Sequence, residues 1–202
     1  IKVTGNKRLS VETILMFSGL NTELNLSNDD LNQAIKNLYD TDYFKKIEIK
    51  IQTDKLEIVI EENPIIQTIE IRGIKNKRII NQLSDITKKS EKYPFLNSNV
   101  KEQRNLLLNI IRSNGFYFAE INTKIVKNLN NSVDLIYEFD LGERAIIKNI
   151  NFKGNKIFKD TKLRNVIKSE EGKFWKFLSS DKYLDERKIK LDENLLLNFY
   201  KN

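Results

Sequence analysis

Three times along this chain an alternating apolar–polar strand runs into a glycine and then into a helical pattern. The copies are Ile1-Lys2-Val3-Thr4-Gly5, Ile69-Glu70-Ile71-Arg72-Gly73 and Ile150-Asn151-Phe152-Lys153-Gly154. Their glycines lie 68 and 81 residues apart, longer than the roughly 20–50 residues of a solenoid unit. The chain therefore reads as an array of small repeated modules that presents surface to partners.

The first copy shows the plan of a module. Ser10 is placed to cap a helix running to about Phe17, with Gly19 just past its end. Ser27 and Asp30 have capping-box spacing, and Leu31, Ala34, Ile35 and Leu38 then recur on one helical face. After Asp42 the period drops to two. Ile47, Ile49 and Ile51 alternate with Lys46, Glu48 and Lys50, and Thr53-Asp54 turns the chain into Leu56, Ile58 and Ile60. The order is β-α-α-β-β.

The second copy repeats it. A helix starting near Asn76 carries Ile79, Ile80, Leu83 and Ile86, and Pro94 ends the looser stretch that follows. A helix is expected over about 99–112. A hairpin then carries Ile121, Thr123 and Ile125 on one strand and Val133, Leu135, Tyr137 and Phe139 on the other, turning at Asn130-Asn131. The third copy has its first strand, a helix expected to be capped by Asp160, and a second helix ending at Tyr200. There Asn194–Asn198 repeats the Asn-Leu-Leu-Leu-Asn of residues 105–109. A module with only its first strand has no stable sheet of its own. The chain is accordingly expected to continue, or that module to borrow a strand. The expected domains are 1–64, 65–143 and 144–202, joined semi-rigidly by short junctions.

Composition narrows the chemistry. The chain has no cysteine and no histidine, so it carries neither thiolate nor imidazole for a metal, a catalytic triad or a proton shuttle. No nucleophile–base set is visible, and the expectation is a non-enzyme without a cofactor. Net charge is +7, divided as −3, +4 and +6 over residues 1–64, 65–144 and 145–202. That gradient invites a nucleic-acid reading. The acidic first module, the missing Gly-x-x-Gly and the lack of paired strand aromatics argue against it.

Several local signatures point to a family. They are Gly5-Asn6-Lys7-Arg8 and Gly154-Asn155-Lys156 after the strands, the helix-to-strand passage 38–44, and Ile60-Glu61-Glu62-Asn63-Pro64 at the first junction. The stretch from Trp175 to Asp192, with Asp181-Lys182-Tyr183, is the most distinctive. Together they resemble the polypeptide-transport-associated (POTRA) domain arrays of outer-membrane β-barrel assembly factors. One departure is Asp42, which stands where that family more usually has glycine.

The resemblance implies an α+β fold of tandem POTRA domains, each with a three-stranded mixed sheet and two helices on one face. It implies a bacterial periplasmic location within an outer-membrane protein whose C-terminal β-barrel anchor is absent from this sequence. Its implied partners are unfolded outer-membrane proteins and accessory assembly lipoproteins, with no nucleic acid. A two-partner secretion transporter is the nearest alternative parent. The second strand of each module, carrying Ile47, Ile49, Ile51 and Ile121, Thr123, Ile125, is the implied exposed edge to which a client strand adds. On this reading the isoleucine side chains fill the core and the backbone edge does the binding. Tyr43, Phe44, Trp175 and Phe177 are further candidates for a partner surface, with packing inside their own modules as the alternative.

Overall fold

In the computed structural model, which describes residues 1–20, 26–52, 55–172 and 181–201, the strands form two three-stranded mixed sheets. The first contains β1 (Lys2–Thr4), β2 (Phe44–Gln52) and β3 (Lys55–Glu62), in spatial order β1-β3-β2. The second contains β4 (Ile65–Arg72), β5 (Glu120–Asn128) and β6 (Ser132–Asp140), in order β4-β6-β5. The helices are α1 (Val11–Ser18), α2 (Asn28–Tyr39), α3 (Lys77–Thr87), α4 (Asn97–Ser113), α5 (Asp160–Val166) and α6 (Glu186–Lys201). Two successive β-α-α-β-β units thus follow the expected order, and in each the strand that comes last in sequence lies in the middle of its sheet.

By compactness the chain divides into two units. One comprises Ile1–Glu70, Ile86–Lys101 and Lys124–Ile136; the other comprises Ile71–Asp85, Glu102–Thr123 and Tyr137–Asn202.

In the first unit β3 runs parallel to β1, with Val3 opposite Ile58, and antiparallel to β2, with Ile47 opposite Ile60 and Ile49 opposite Ile58. Ile14 of α1 and Leu38 of α2 join Phe44, Ile47, Ile58 and Ile60 in one buried cluster, so both helices cover the same face. Local chemistry sets the helix ends. Ser10 accepts from Thr13 N–H, Gly19 closes α1 at φ +71°, and Ser27 with Asp30 forms the expected capping box.

Two close approaches bind the turns to the central strands. A Cβ on Gly5 would lie 2.0 Å from the carbonyl oxygen of Ile60, and one on Gly73 would lie 2.0 Å from that of Phe139. Both glycines have positive φ, +89° and +87°, so side chains are excluded on two grounds. At the end of β3 the Glu62 carboxylate accepts backbone N–H bonds from Lys7 (2.8 Å), Arg8 (3.1 Å) and Leu9 (3.1 Å). It holds down the loop between β1 and α1.

In the second unit Ile79, Leu83, Leu107, Ile111, Tyr137 and Phe139 are buried. The Tyr137 hydroxyl donates to Gln103 Oε1 at 2.7 Å. Farther along the same unit, Ala145 N–H donates to Gly115 O and Leu184 N–H to Ala145 O, both at 2.9 Å. The Arg144 guanidinium lies 4.9 Å from the Phe116 ring and 4.7 Å from the Tyr183 ring. The short 141–144 junction is thereby held from both sides.

The third copy corrects two expectations. Ile150–Lys153 forms no strand. Its counterparts β1 and β4 sit in sheets whose middle strand is β3 or β6, and no such strand exists here among the described residues. What pairs instead is the segment just before it: Ile146 bridges Tyr183, and Ile147 N–H donates to Lys182 O at 2.8 Å. Asp160 is the first residue of α5, not its cap; the capping position is Lys159, which makes no side-chain cap bond. The buried Asp192 carboxylate accepts from the N–H groups of Lys168 (2.6 Å) and Ser169 (3.1 Å), closing the loop after α5.

Two outcomes test these contacts. Glu62→Ala strands three partly buried backbone donors and should cost about 3 kcal/mol in chemical denaturation, as bonds to a charged acceptor do. Burial pushes the Tyr137 phenol up from 10.0 to about 12. Below pH 10 both folded and unfolded states hold the proton; above it the unfolded chain ionises first. Stability should therefore fall as pH rises through that window, and Tyr137→Phe should show a smaller fall in a base titration followed by circular dichroism.

Candidate functional site

A sheet edge binds only if its backbone groups are aligned and unspent. β2 and β5 are both edge strands of nine residues, outermost in the orders β1-β3-β2 and β4-β6-β5. The opposite edges offer less. β1 has three residues. The start of β4 is already covered by its own chain: Ile66 N–H donates to Tyr93 O (2.9 Å), and Lys92 N–H donates back to Ile66 O (2.7 Å). Phe95 N–H adds a bond to Pro64 O at 2.7 Å, and the Glu91 carboxylate accepts from Ile69 N–H at 3.0 Å.

The first outward group on each long edge is met by a side chain of the preceding helix. Ile47 N–H donates to the Tyr39 hydroxyl at 3.2 Å, and Arg104 Nε donates to Ile121 O at 3.0 Å. In an antiparallel ladder the N–H and C=O of one residue face the same way, and the direction alternates along the strand. β2 keeps an unbroken register from Lys46 to Gln52. Ile49 and Ile51 therefore point their backbone groups the same way as Ile47, away from β3. The same period on β5 carries the direction of Ile121 to Thr123 and Ile125.

Their side chains grade from core to surface. Ile47 (7% exposed) and Ile121 (4%) belong to the core, Ile49 and Thr123 are half-buried, and Ile51 (63%) and Ile125 (43%) are exposed. The core role expected of the five isoleucines thus fails at Ile51 and Ile125. Thr123 Oγ1 is buried without a hydrogen-bond partner. On the other face of β2, Lys46 and Lys50 lie 2.6 Å and 3.4 Å from Glu48. The Lys46 hydrogen bond holds the Glu48 carboxyl below the usual carboxylate range.

The aromatic candidates divide. Phe44 is 3% exposed and lies in the core cluster, so it is corrected from partner surface to packing. Tyr43 is half-buried and stacks on Phe17 with ring centroids 5.9 Å apart. Trp175 and Phe177 lie outside the described residues. What sequence reasoning missed is the pair of edge caps, Tyr39 and Arg104, and the covering segment 91–95. Their partners lie 8 residues away for Tyr39 and 17 for Arg104, each on another element, and leave no periodic signal in the sequence.

Asp42 sets where β2 starts. It adopts φ +62°, a left-handed conformation that aspartate tolerates and glycine takes without strain. Its carbonyl accepts from the Asn63 side chain at 2.8 Å, a contact that a glycine would keep. Asp42→Gly should therefore raise stability by about 0.5–1 kcal/mol, read as a higher denaturation midpoint with unchanged β2 amide shifts.

Comparison with known proteins bears on the fold and the family. The sequence family described as POTRA, surface antigen variable number repeat, matches residues 1–63 and 145–202. The chain is similar to the outer membrane protein assembly factor BamA of Neorickettsia risticii, 26% identical over 99% of this chain and 27% of that protein. It is likewise similar to BamA of Neisseria meningitidis serogroup B, 26% identical over 100% of the chain and 26% of the relative. The chain spans about a quarter of the length of these curated relatives. Among solved structures, BamA from Haemophilus ducreyi lacking POTRA domains 1-3 superposes with TM-score 0.50 and 19% identity. That match covers 65% of this chain and 23% of the other.

Proposed function

The chain belongs to the POTRA family, and from that membership we propose that it is the periplasmic part of an outer-membrane β-barrel assembly factor, receiving unfolded barrel proteins by β-augmentation. In this reading 1–64, 65–143 and 144–202 are three successive POTRA domains, and accessory assembly lipoproteins dock on the same array. The observation that carries it is the outward backbone of Ile49 and Ile51 on β2 and of Thr123 and Ile125 on β5, each on the long edge of its sheet.

Magnitudes fit a transient receptor. Two outward residues offer four backbone groups, each worth about 1 kcal/mol net when bonded. Roughly 4 kcal/mol corresponds to a Kd near 1 mM, so a single short augmented strand holds a client loosely and releases it. Main-chain recognition tolerates any client sequence. The Lys46–Glu48–Lys50 cluster keeps charge on the strand, which discourages indiscriminate edge pairing.

Ile49→Pro removes an outward donor and leaves the inner ladder intact, a position where an edge strand accepts proline. In an amide-shift titration with an unfolded barrel-strand peptide, Ile49→Pro should weaken binding severalfold more than Ile49→Ala. Equal losses, or shifts confined to residues away from β2 and β5, would reject edge augmentation.

A further inference from the structure

Inside the second compact unit, a small pocket of about 220 Å³ is lined by the last turn of α4, by Tyr117 and by the start of α6. Its charged wall holds Arg112, Arg187 and Lys190 together with Asp185 and Glu186. The two carboxylates are already engaged. Asp185 accepts from the Arg187 guanidinium at 3.3 Å and 3.1 Å, and Glu186 Oε1 accepts from the Tyr117 hydroxyl at 3.0 Å.

Two of the three cations are not. Arg112 Nε is buried with no hydrogen-bond partner, and its guanidinium lies 5.9 Å from the Tyr117 ring centroid. Native structures rarely leave a buried donor unmet, so this one marks a place for a ligand group. Lys190 is exposed and makes no hydrogen bond or ion pair among the described residues. Three cations facing two carboxylates leave the wall short of one negative charge. Beside it, Phe118 is 71% exposed and stands edge-on to Tyr117, with ring centroids 5.2 Å apart. An exposed aromatic next to an unpaired arginine is the composition of a binding hot spot.

We propose that this pocket docks an acidic segment of a partner polypeptide, with one carboxylate bound by Arg112 and Lys190 and a neighbouring apolar side chain resting on Phe118. A guanidinium takes a carboxylate through two parallel bonds, a planar arrangement that suits a pocket this small. One carboxylate supplies the single missing charge. A phosphate dianion would bring a second charge up against Asp185 and Glu186, where like charges repel. The site works through side-chain charge and not through a sheet edge, so it stands or fails independently of β2 and β5.

The probe is the peptide acetyl-Gly-Leu-Glu-Gly-amide, titrated into the full 202-residue chain at low salt, with the same peptide carrying Gln for Glu as its control. Binding is followed through the arginine Nε–H signals and the aromatic ring signals. The expected result is perturbation of Arg112, Tyr117 and Phe118 by the acidic peptide alone. Affinity should fall roughly tenfold on Arg112→Gln, as loss of a bond between charged groups implies. It should fall severalfold on Lys190→Gln and on adding salt. It should rise on Glu186→Gln, which keeps an acceptor for Tyr117 and removes a repelling charge. Lys190 is exposed and unpaired, so Lys190→Gln tests the pocket with the fold in place. The proposal is overturned if the glutamine peptide binds equally well, or if Lys190→Gln and Glu186→Gln both bind like the wild type. It is also overturned if inorganic phosphate binds more tightly than the peptide, or if about 10 mM peptide, well above a millimolar Kd, shifts none of these three residues. Self-association of the chain that Lys190→Gln abolishes would make a second copy the occupant and overturn it too.

Discussion

Everything in each sheet depends on a strand that arrives last and sits in the middle. β3 and β6 each bond to two neighbours, one made at the start of the repeat and one just before the hairpin turn. The first strand of a module cannot join a sheet until the rest of its module has been traversed. The glycine turn then presses directly on the last strand, at Gly5 against Ile60 and Gly73 against Phe139. In the third copy, which has the same glycine but no such strand among the described residues, Ile150–Lys153 forms no ladder and a Cβ on Gly154 would meet nothing within 4 Å. Local preference for strand geometry does not make a strand without a partner for its peptide groups.

The same topology creates the exposed edges. A strand order that puts the last element in the centre leaves the second strand outermost, and nothing later in the module can cover it. The opposite edge is handled differently in the two sheets, by brevity at β1 and by the pairing of 92–95 onto β4. Tyr39 and Arg104 close the proximal end of each long edge and leave its distal half, where Ile51 and Ile125 emerge from the core. The open part of each long edge is thus set by what the chain itself covers.

Buried carboxylates fasten the loops around these sheets. Glu62 gathers three N–H groups of the loop leading into α1, and Asp192 gathers two after α5. Both acids act where several backbone donors point at one place with no strand to receive them. Glu62 stood out in the sequence only as part of a junction signature, because a lone acid carries no sign of the loop it will anchor.

The repeat, the element order of its first two copies and most of the buried faces were legible in the sequence. Apolar periods of two and 3.6, serine caps at Ser10 and Ser27, and glycines at the turns are local properties, readable wherever neighbouring residues supply the physical cause. Tertiary structure alone decided which strand is central, which edge is covered and which aromatic is surface. Phe44 and Tyr43 are adjacent, yet one is core and the other half-exposed. Ile150–Lys153 has the same alternation as β1 and forms no strand. In each case the deciding contact comes from residues far away in sequence, and pattern within a segment holds no record of them.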